Sequence, residues 1–461
     1  MQELPAAPTA VDDRDQFGRP KAALHFGQLL AVTAYWLAIT VLWGAFTFSV
    51  IPRLVESDGV LGNSSHPLAG LAIGLITTAG VLIAIVVQPT MGAISDHTRS
   101  RLGRRKPYIL AGTLLDILFL SFAAWAFWNE AYWAFVLSVI LLQFSSNFAQ
   151  GPYQGYIPDL VPGRQVGVAS GMLGAANIAG NLLGPGLAIL FVAVLPTVLG
   201  YPAITLGLFV VIGAIELITM LITVIFVPDR PAPPTTLTLK ERALSAWGTD
   251  LLAQRDYIWL LVSRLFVLTA LVSLQAFAVF FLENAHGMEP DDAQTAQFPL
   301  ILTVAVAALL SAVPGGWISS RIGRKPVLYV AIGLGIAGAV VIATAPAYWM
   351  VVVAAVPIGI CSGVFLGVDW ALMTDIIPKA ESGRYMGISN IAVAGAGPIA
   401  ATVGGVAVFL ASLASLGPDL AYRGIFVLMA VELLIGALAL RRVTEPKRDA
   451  SAVIEQVPSP A

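Results

Sequence analysis

Val86-Val87-Gln88-Pro89-Thr90-Met91-Gly92-Ala93-Ile94-Ser95-Asp96-His97-Thr98-Arg99-Ser100-Arg101-Leu102-Gly103-Arg104-Arg105-Lys106-Pro107-Tyr108-Ile109 joins two long apolar runs. Gly92 lets backbones approach closely, Asp96 is an anion at a helix end among cations, and the arginines hold the loop at an aqueous surface. Gly323-Arg324-Lys325-Pro326 echoes Gly103-Arg104-Arg105-Lys106-Pro107. Asp159-Leu160-Val161-Pro162 is followed by Gly167 and Gly171, and Asp375-Ile376-Ile377-Pro378 by Gly383 and Gly387 at the same spacings. The same offset carries Glu216 onto Glu432. Matches in equivalent places are hard to reach by chance. They point to an internal repeat of two copies.

Composition agrees. Of 461 residues, 57% are hydrophobic and only 11% charged, with a mean hydropathy of +0.84. Soluble domains carry about 25% charged residues, so a cytosolic globular enzyme is excluded. Lys+Arg total 25 and Asp+Glu 27, a balance that argues against a nucleic-acid binder. Cys361 stands alone, and no His or Cys cluster has metal-ligand spacing, so neither a metal nor a cofactor is expected. The polar start of the chain lacks the apolar core of a signal peptide.

A membrane span needs about 20 apolar residues. Spans are expected near 27–52, 68–91, 108–128, 131–157, 167–195, 201–227, 257–284, 297–318, 327–345, 348–376, 384–412 and 421–442. This makes an all-α membrane protein of about twelve helices in two six-helix halves. A tail covers 1–26, the first bundle 27–227, a polar linker 228–256, the second bundle 257–442 and a final tail 443–461. With both termini inside, nearly all Lys and Arg fall on inner segments. Arg53 and Arg423 lie outside, among the acids Glu56, Asp58, Glu130, Glu289, Asp291 and Asp292. The positive-inside rule therefore sets both termini in the cytoplasm. The triplet Asn63-Ser64-Ser65 carries no weight.

The loop closely resembles the signature of the major facilitator transporters. Its extra residues between Asp96 and Arg101 are similar to the sucrose–proton symporters and their bacterial relatives, within the glycoside–pentoside–hexuronide group. Gln150-Gly151-Pro152 before Asp159-Leu160, Trp43 with Pro52, and Gly180-Asn181-Leu182-Leu183-Gly184 extend that resemblance over most of the first half. The second half matches mainly through the repeat, with Ser320 where the loop would carry Asp. The resemblance implies a major facilitator fold and gating by Gly92, Asp96, Arg101, Gly103, Arg104 and Arg105, with Asp96 near Gly383 or Arg384. Asp159, Asp375 and Arg384 complete the expected gate. Two departures stand out. Gln143 occupies the place of the family's coupling Asp, and Gln154 the place of its Arg, so sucrose specificity and the usual proton site do not carry over.

Gln143, Asn147, Gln150 and Gln154 form one face of span four. Such amides face a wet path or bond to other helices, and neutral donors and acceptors suit sugar hydroxyls. Trp36, Thr40, Trp43 and Thr47 repeat that spacing in span one, offering aromatic faces beside hydroxyls or plain packing. Asn177 and Asn181 share a face of span five, and Gln275 and Trp370 complete the candidate substrate set. The buried ionisable groups are Asp116, Glu216, Arg264, Asp369 and Glu432. Glu216 and Glu432 read as structural. Arg264 has Asp369 or Asp375 within reach. Asp369, mid-span ten, is the expected proton-coupling residue, with Asp116 next.

The expected function is a proton-coupled symporter of a sugar or glycoside, monomeric, working by alternating access. A proton-driven exporter of a drug or metabolite is the alternative. An intramembrane enzyme lacks a nucleophile–base pair, and a channel lacks a re-entrant filter loop. Gly333-Leu334-Gly335-Ile336-Ala337-Gly338 mimics a dinucleotide fingerprint without its strand–helix setting.

Overall fold

The computed structural model describes residues 19–47, 51, 69–200 and 202–446. Pro52, Arg53, Glu56, Asp58, the Asn63 triplet and the outermost tails lie outside the described residues. Among the described residues, twelve helices are long and apolar enough to cross a membrane. The first half contains α1 Phe26–Ala45, α2 Ala69–Asp96, α3 Lys106–Trp128, α4 Tyr132–Tyr153, α5 Val166–Ile189 and α6 Leu206–Phe226. The second contains α7 Arg255–His286, α8 Pro290–Ile322, α9 Arg324–Thr344, α10 Tyr348–Ile376, α11 Ser382–Leu413 and α12 Pro418–Arg441. Each coincides with an expected span. The ends of α8 move most, because the acids read as outer loop start the helix. Pro290 opens it and Asp291 and Asp292 sit in its first turn, where the helix dipole favours anions. Outer faces keep large apolar groups exposed, Val210 and Leu310 at 70% each. Lipid is the solvent that tolerates such a surface.

The halves meet along α2–α11 and α5–α8. A methyl group at Gly92 would overlap the Gly383 carbonyl, and one at Gly316 would overlap that of Gly167. Backbone contact this tight transmits any relative tilt of the halves. Gly103 and Gly323 hold φ 109° and 102° in the two basic loops, a region that disfavours side chains. The helix after each loop is capped by an acid from the far end of the same half. The Asp229 carboxylate accepts the N–H of Arg105 (2.7 Å) and Lys106 (3.0 Å). Glu445 likewise accepts those of Arg324 (2.5 Å) and Lys325 (3.1 Å). Asp229 and Glu445 hold equivalent places in the repeat, a match that sequence reading missed.

Arg19 and Glu445 both sit at the end of the bundle that carries the basic loops, so the described chain enters and leaves on one side. The linker crosses the same end. Its short helix, Leu239–Ser245, is capped reciprocally by Thr238 and Glu241.

Candidate functional site

About two helical turns in from the basic-loop end of the seam, side chains from both halves converge. Gln88 on α2 is the hub. Its amide nitrogen donates to Asn147 and to the Gln150 side-chain oxygen (3.0 Å) on α4. Its oxygen accepts from Gln154 (3.4 Å) and, across the seam, from Asn390 on α11. Asn147 also donates back to the Gln143 carbonyl (2.6 Å). The α4 amide stripe is thus drawn into one network joining three helices. Here its members bond to one another.

Aromatic rings lie beside this network. Trp36 on α1 meets Trp370 on α10 edge to face, with centroids 5.5 Å apart, and stacks on Tyr153 at 6.1 Å and 15°. The Tyr153 hydroxyl donates to the Val32 carbonyl (2.5 Å), which fixes its ring. Arg264 on α7 sits 5.6 Å from the Trp370 ring centroid, pairs with Asp369 at 3.3 Å and reaches the Ser389 hydroxyl at 3.4 Å. Arg264 is 2% exposed and Asp369 1%. Of the two acids within reach of Arg264, the partner is Asp369; Asp375 is taken by Arg19 and Arg324. The second Asp369 oxygen has no hydrogen-bond partner.

Other candidates stand apart. Trp43 donates to Ser146 (3.0 Å) inside the first half, and Thr40 bonds carbonyls of its own helix and of Ala176. Both are held by packing. Asn181 donates to Asn177 (2.9 and 3.1 Å) along one helix; Asn181 and Gln275 are exposed. Asp116 accepts from Ser145 (2.5 Å) within the first half, near Glu216, whose oxygens have no hydrogen-bond partner. Neither acid touches the seam cluster. Gln88, Tyr153, Ser389 and Asn390 were not among the candidates. Gln88 lies just before the basic loop and Ser389-Asn390 is a polar step in an apolar run, so both carry a local sequence signal.

At the basic-loop end, Asp96 receives the backbone N–H of Gly383 (3.1 Å) and Arg384 (3.0 Å) and pairs with Arg105 at 2.5 Å. Arg104 (2.6 Å) and Arg105 (3.1 Å) pair with Asp159. Burial pushes the Arg105 pKa down, but Asp96 and Asp159 outweigh it and hold the guanidinium charged. Arg101 departs from expectation. It sits exposed in the turn of the loop, so Arg104 and Arg105 supply the cations. The Arg384 side chain turns to the linker, pairing with Asp250 at 2.7 Å and with Glu381 at 2.6 Å. The Arg384 hydrogen bond holds the Asp250 carboxyl below its ordinary range.

Residues 22–400 and 292–461 match the model of the Major Facilitator Superfamily. The chain belongs to that superfamily. It is a multi-pass integral membrane protein. Among curated relatives, a sucrose transport protein of Arabidopsis thaliana is 29% identical over 39% of this chain and 36% of its own length. The general alpha-glucoside permease of Schizosaccharomyces pombe is 33% identical over 41% and 37%. The matches span little more than a third of those relatives. The Escherichia coli fucose:proton symporter superposes with a TM-score of 0.69 at 14% identity, covering 91% of this chain and 98% of its own. The proton:xylose symporter gives 0.64 at 18%, covering 91% and 97%. Identities this low speak for the fold alone.

Proposed function

We propose that this major facilitator protein carries a sugar or glycoside together with a proton, within the sucrose-symporter branch of the glycoside–pentoside–hexuronide group. The carrying observation is the seam cluster: ring faces of Trp36, Trp370 and Tyr153 beside the neutral amides of Gln88, Asn147, Gln150 and Asn390. Sugars present apolar ring faces and a rim of hydroxyls, which this pairing of groups matches. The partial matches to sucrose and alpha-glucoside carriers support the same class. Gln143 and Gln154 extend the amide face, and the exposed Gln275 and Asn181, with the half-buried Asn177, are assigned to the wet approach from the far side. Amides at membrane depth seek protein or water rather than lipid.

Coupling is assigned to Asp369. Ionised, it holds Arg264; protonated, it releases the guanidinium to donate to a sugar hydroxyl. The loaded site then crosses with one net positive charge, carried by the Arg264 guanidinium, which lets the membrane potential drive the step. Asp116 is the reserve candidate. Gly92, Asp96, Gly103, Arg104, Arg105, Asp159, Asp375 and Arg384 form the gate at the basic end, which the charge bias assigns to the cytoplasm. The protein works as a monomer with no cofactor.

The test is a panel of mono- and disaccharides, read by quenching of tryptophan fluorescence in purified protein and by uptake into proteoliposomes under an imposed proton gradient. Saturable quenching with gradient-driven accumulation is expected. Apolar cations that bind where every sugar fails overturn the reading in favour of export.

A further inference from the structure

The two arms of the gate are built from equivalent segments of the repeat, but they are not equally furnished. On the arm formed by α2 and α11, Asp159 is bracketed by Arg104 and Arg105. The Ser382 hydroxyl crosses from the other half to donate to Asp159 (2.5 Å) and accept from Arg105 (2.9 Å). Asp96 adds two backbone bonds across the seam.

On the arm formed by α5 and α8, each of these parts is altered. The loop supplies one arginine, Arg324, in place of two. Ser320 stands where Asp96 stands in the first copy. Val166, buried and apolar, occupies the place of Ser382. Arg324 donates to Ser319 (2.7 Å), Ser320 (3.1 Å) and Asp375 (3.3 Å), all in its own half.

The second cation on Asp375 comes from outside the repeat. Arg19, 1% exposed, reaches the Asp375 carboxylate at 3.0 Å and the Thr374 carbonyl at 2.7 Å. Five residues on, Leu24 exchanges two backbone bonds of 2.8 Å with the Gln165 amide at the start of α5. The segment 19–25 is therefore pinned to the first half at Gln165 and to the second half at Asp375. We infer that Arg19 is a gating residue of the transport cycle, a latch that completes the weaker arm and holds the basic end shut. Opening that end separates α5 from α8 and α10, so the Arg19–Asp375 bond has to break each time. The inference concerns the gate alone and holds whichever solute is carried.

The test places spin labels at Leu102 and Ile322, exposed positions on the two sides of the gate; the native Cys361 is buried and stays unlabelled. Label separations are measured in full-length protein for wild type, Arg19→Ala, Arg19→Gln and Arg19→Lys. The neutral variants are expected to raise the open-to-closed ratio at the basic end about tenfold, equivalent to about 1.4 kcal/mol, while Arg19→Lys stays nearer wild type. Size-exclusion profiles establish folding. Should Arg19→Ala aggregate, Gln against Lys decides, since the two are similar in length and differ in charge. Distributions within twofold of wild type for the folded neutral variants overturn the latch. So does an equal shift for Lys and Gln, which would mean that packing at residue 19 matters and its charge does not.

Discussion

One carboxylate of Asp96 on α2 caps the first backbone N–H groups of α11, those of Gly383 at 3.1 Å and Arg384 at 3.0 Å, across the seam between the halves. An anion at a helix N-terminus is favoured by the dipole, and here the anion and the helix belong to bodies that move against each other. The contact is therefore specific to one conformation.

Asp96→Asn should weaken that cap and leave Arg105, fully buried, with Asp159 as its remaining carboxylate. Breaking a buried pair costs about 3–5 kcal/mol when a charge is stranded; Asp159 reduces this. Transport is expected to slow about tenfold or more, with substrate affinity within about twofold. Uptake kinetics in proteoliposomes and calorimetric binding separate the two. An unchanged rate removes Asp96 from the gate.

Gln88→Leu should be the most damaging of the amide changes. It strands Asn147, Gln150, Gln154 and Asn390 at once, and an orphaned buried polar group costs about 1–3 kcal/mol. A lower melting temperature in detergent and at least tenfold weaker sugar binding are expected. Asn147→Leu or Gln150→Leu should cost several-fold to tenfold in affinity with the fold retained, at about 0.5–1.5 kcal/mol per neutral bond. If affinity survives all three changes, the network packs the helices and does not read substrate.

Asp369→Asn should abolish accumulation under a proton gradient and keep downhill exchange. The membrane potential contributes about 2.3 kcal/mol per charge at 100 mV, and a variant that cannot take up the proton loses that drive. Accumulation that persists transfers the coupling role to Asp116, to be tested by Asp116→Asn in the same vesicles.

The linker clasp gives a pH prediction. The Arg384 hydrogen bond depresses the Asp250 carboxyl, so this bond stabilises above the ordinary carboxylate range and is lost as pH falls through the lowered value. Between pH 5 and 8 it stays formed. Protease cleavage of the linker should be flat over that window in wild type and faster in Asp250→Asn. A rise in wild-type cleavage towards pH 5 would assign the clasp to another titrating group.

Sequence alone determined the span pattern, the two-half repeat and the basic loops, because a bilayer demands about twenty apolar residues per crossing and the charge bias records which ends stay in water. It also picked out the α4 stripe, a helical face and so a local pattern, whereas Asp96 beside the start of α11 came only from the family resemblance of the loop, since no local pattern spans that distance. Tertiary structure decided the rest. Gln88 reads as one polar residue in an apolar run; only the packing of α2 against α4 and α11 makes it the hub of four amides. Trp36 and Trp43 share a face in sequence, yet the crossing of α1 with α10 brings Trp36 to Trp370, while Trp43 is spent on Ser146. Asp375 looks like the equal of Asp159 in the repeat. That its second cation is Arg19, hundreds of residues away, follows from how the chain's first described segment folds back over the seam, and no local periodicity encodes a contact of that range.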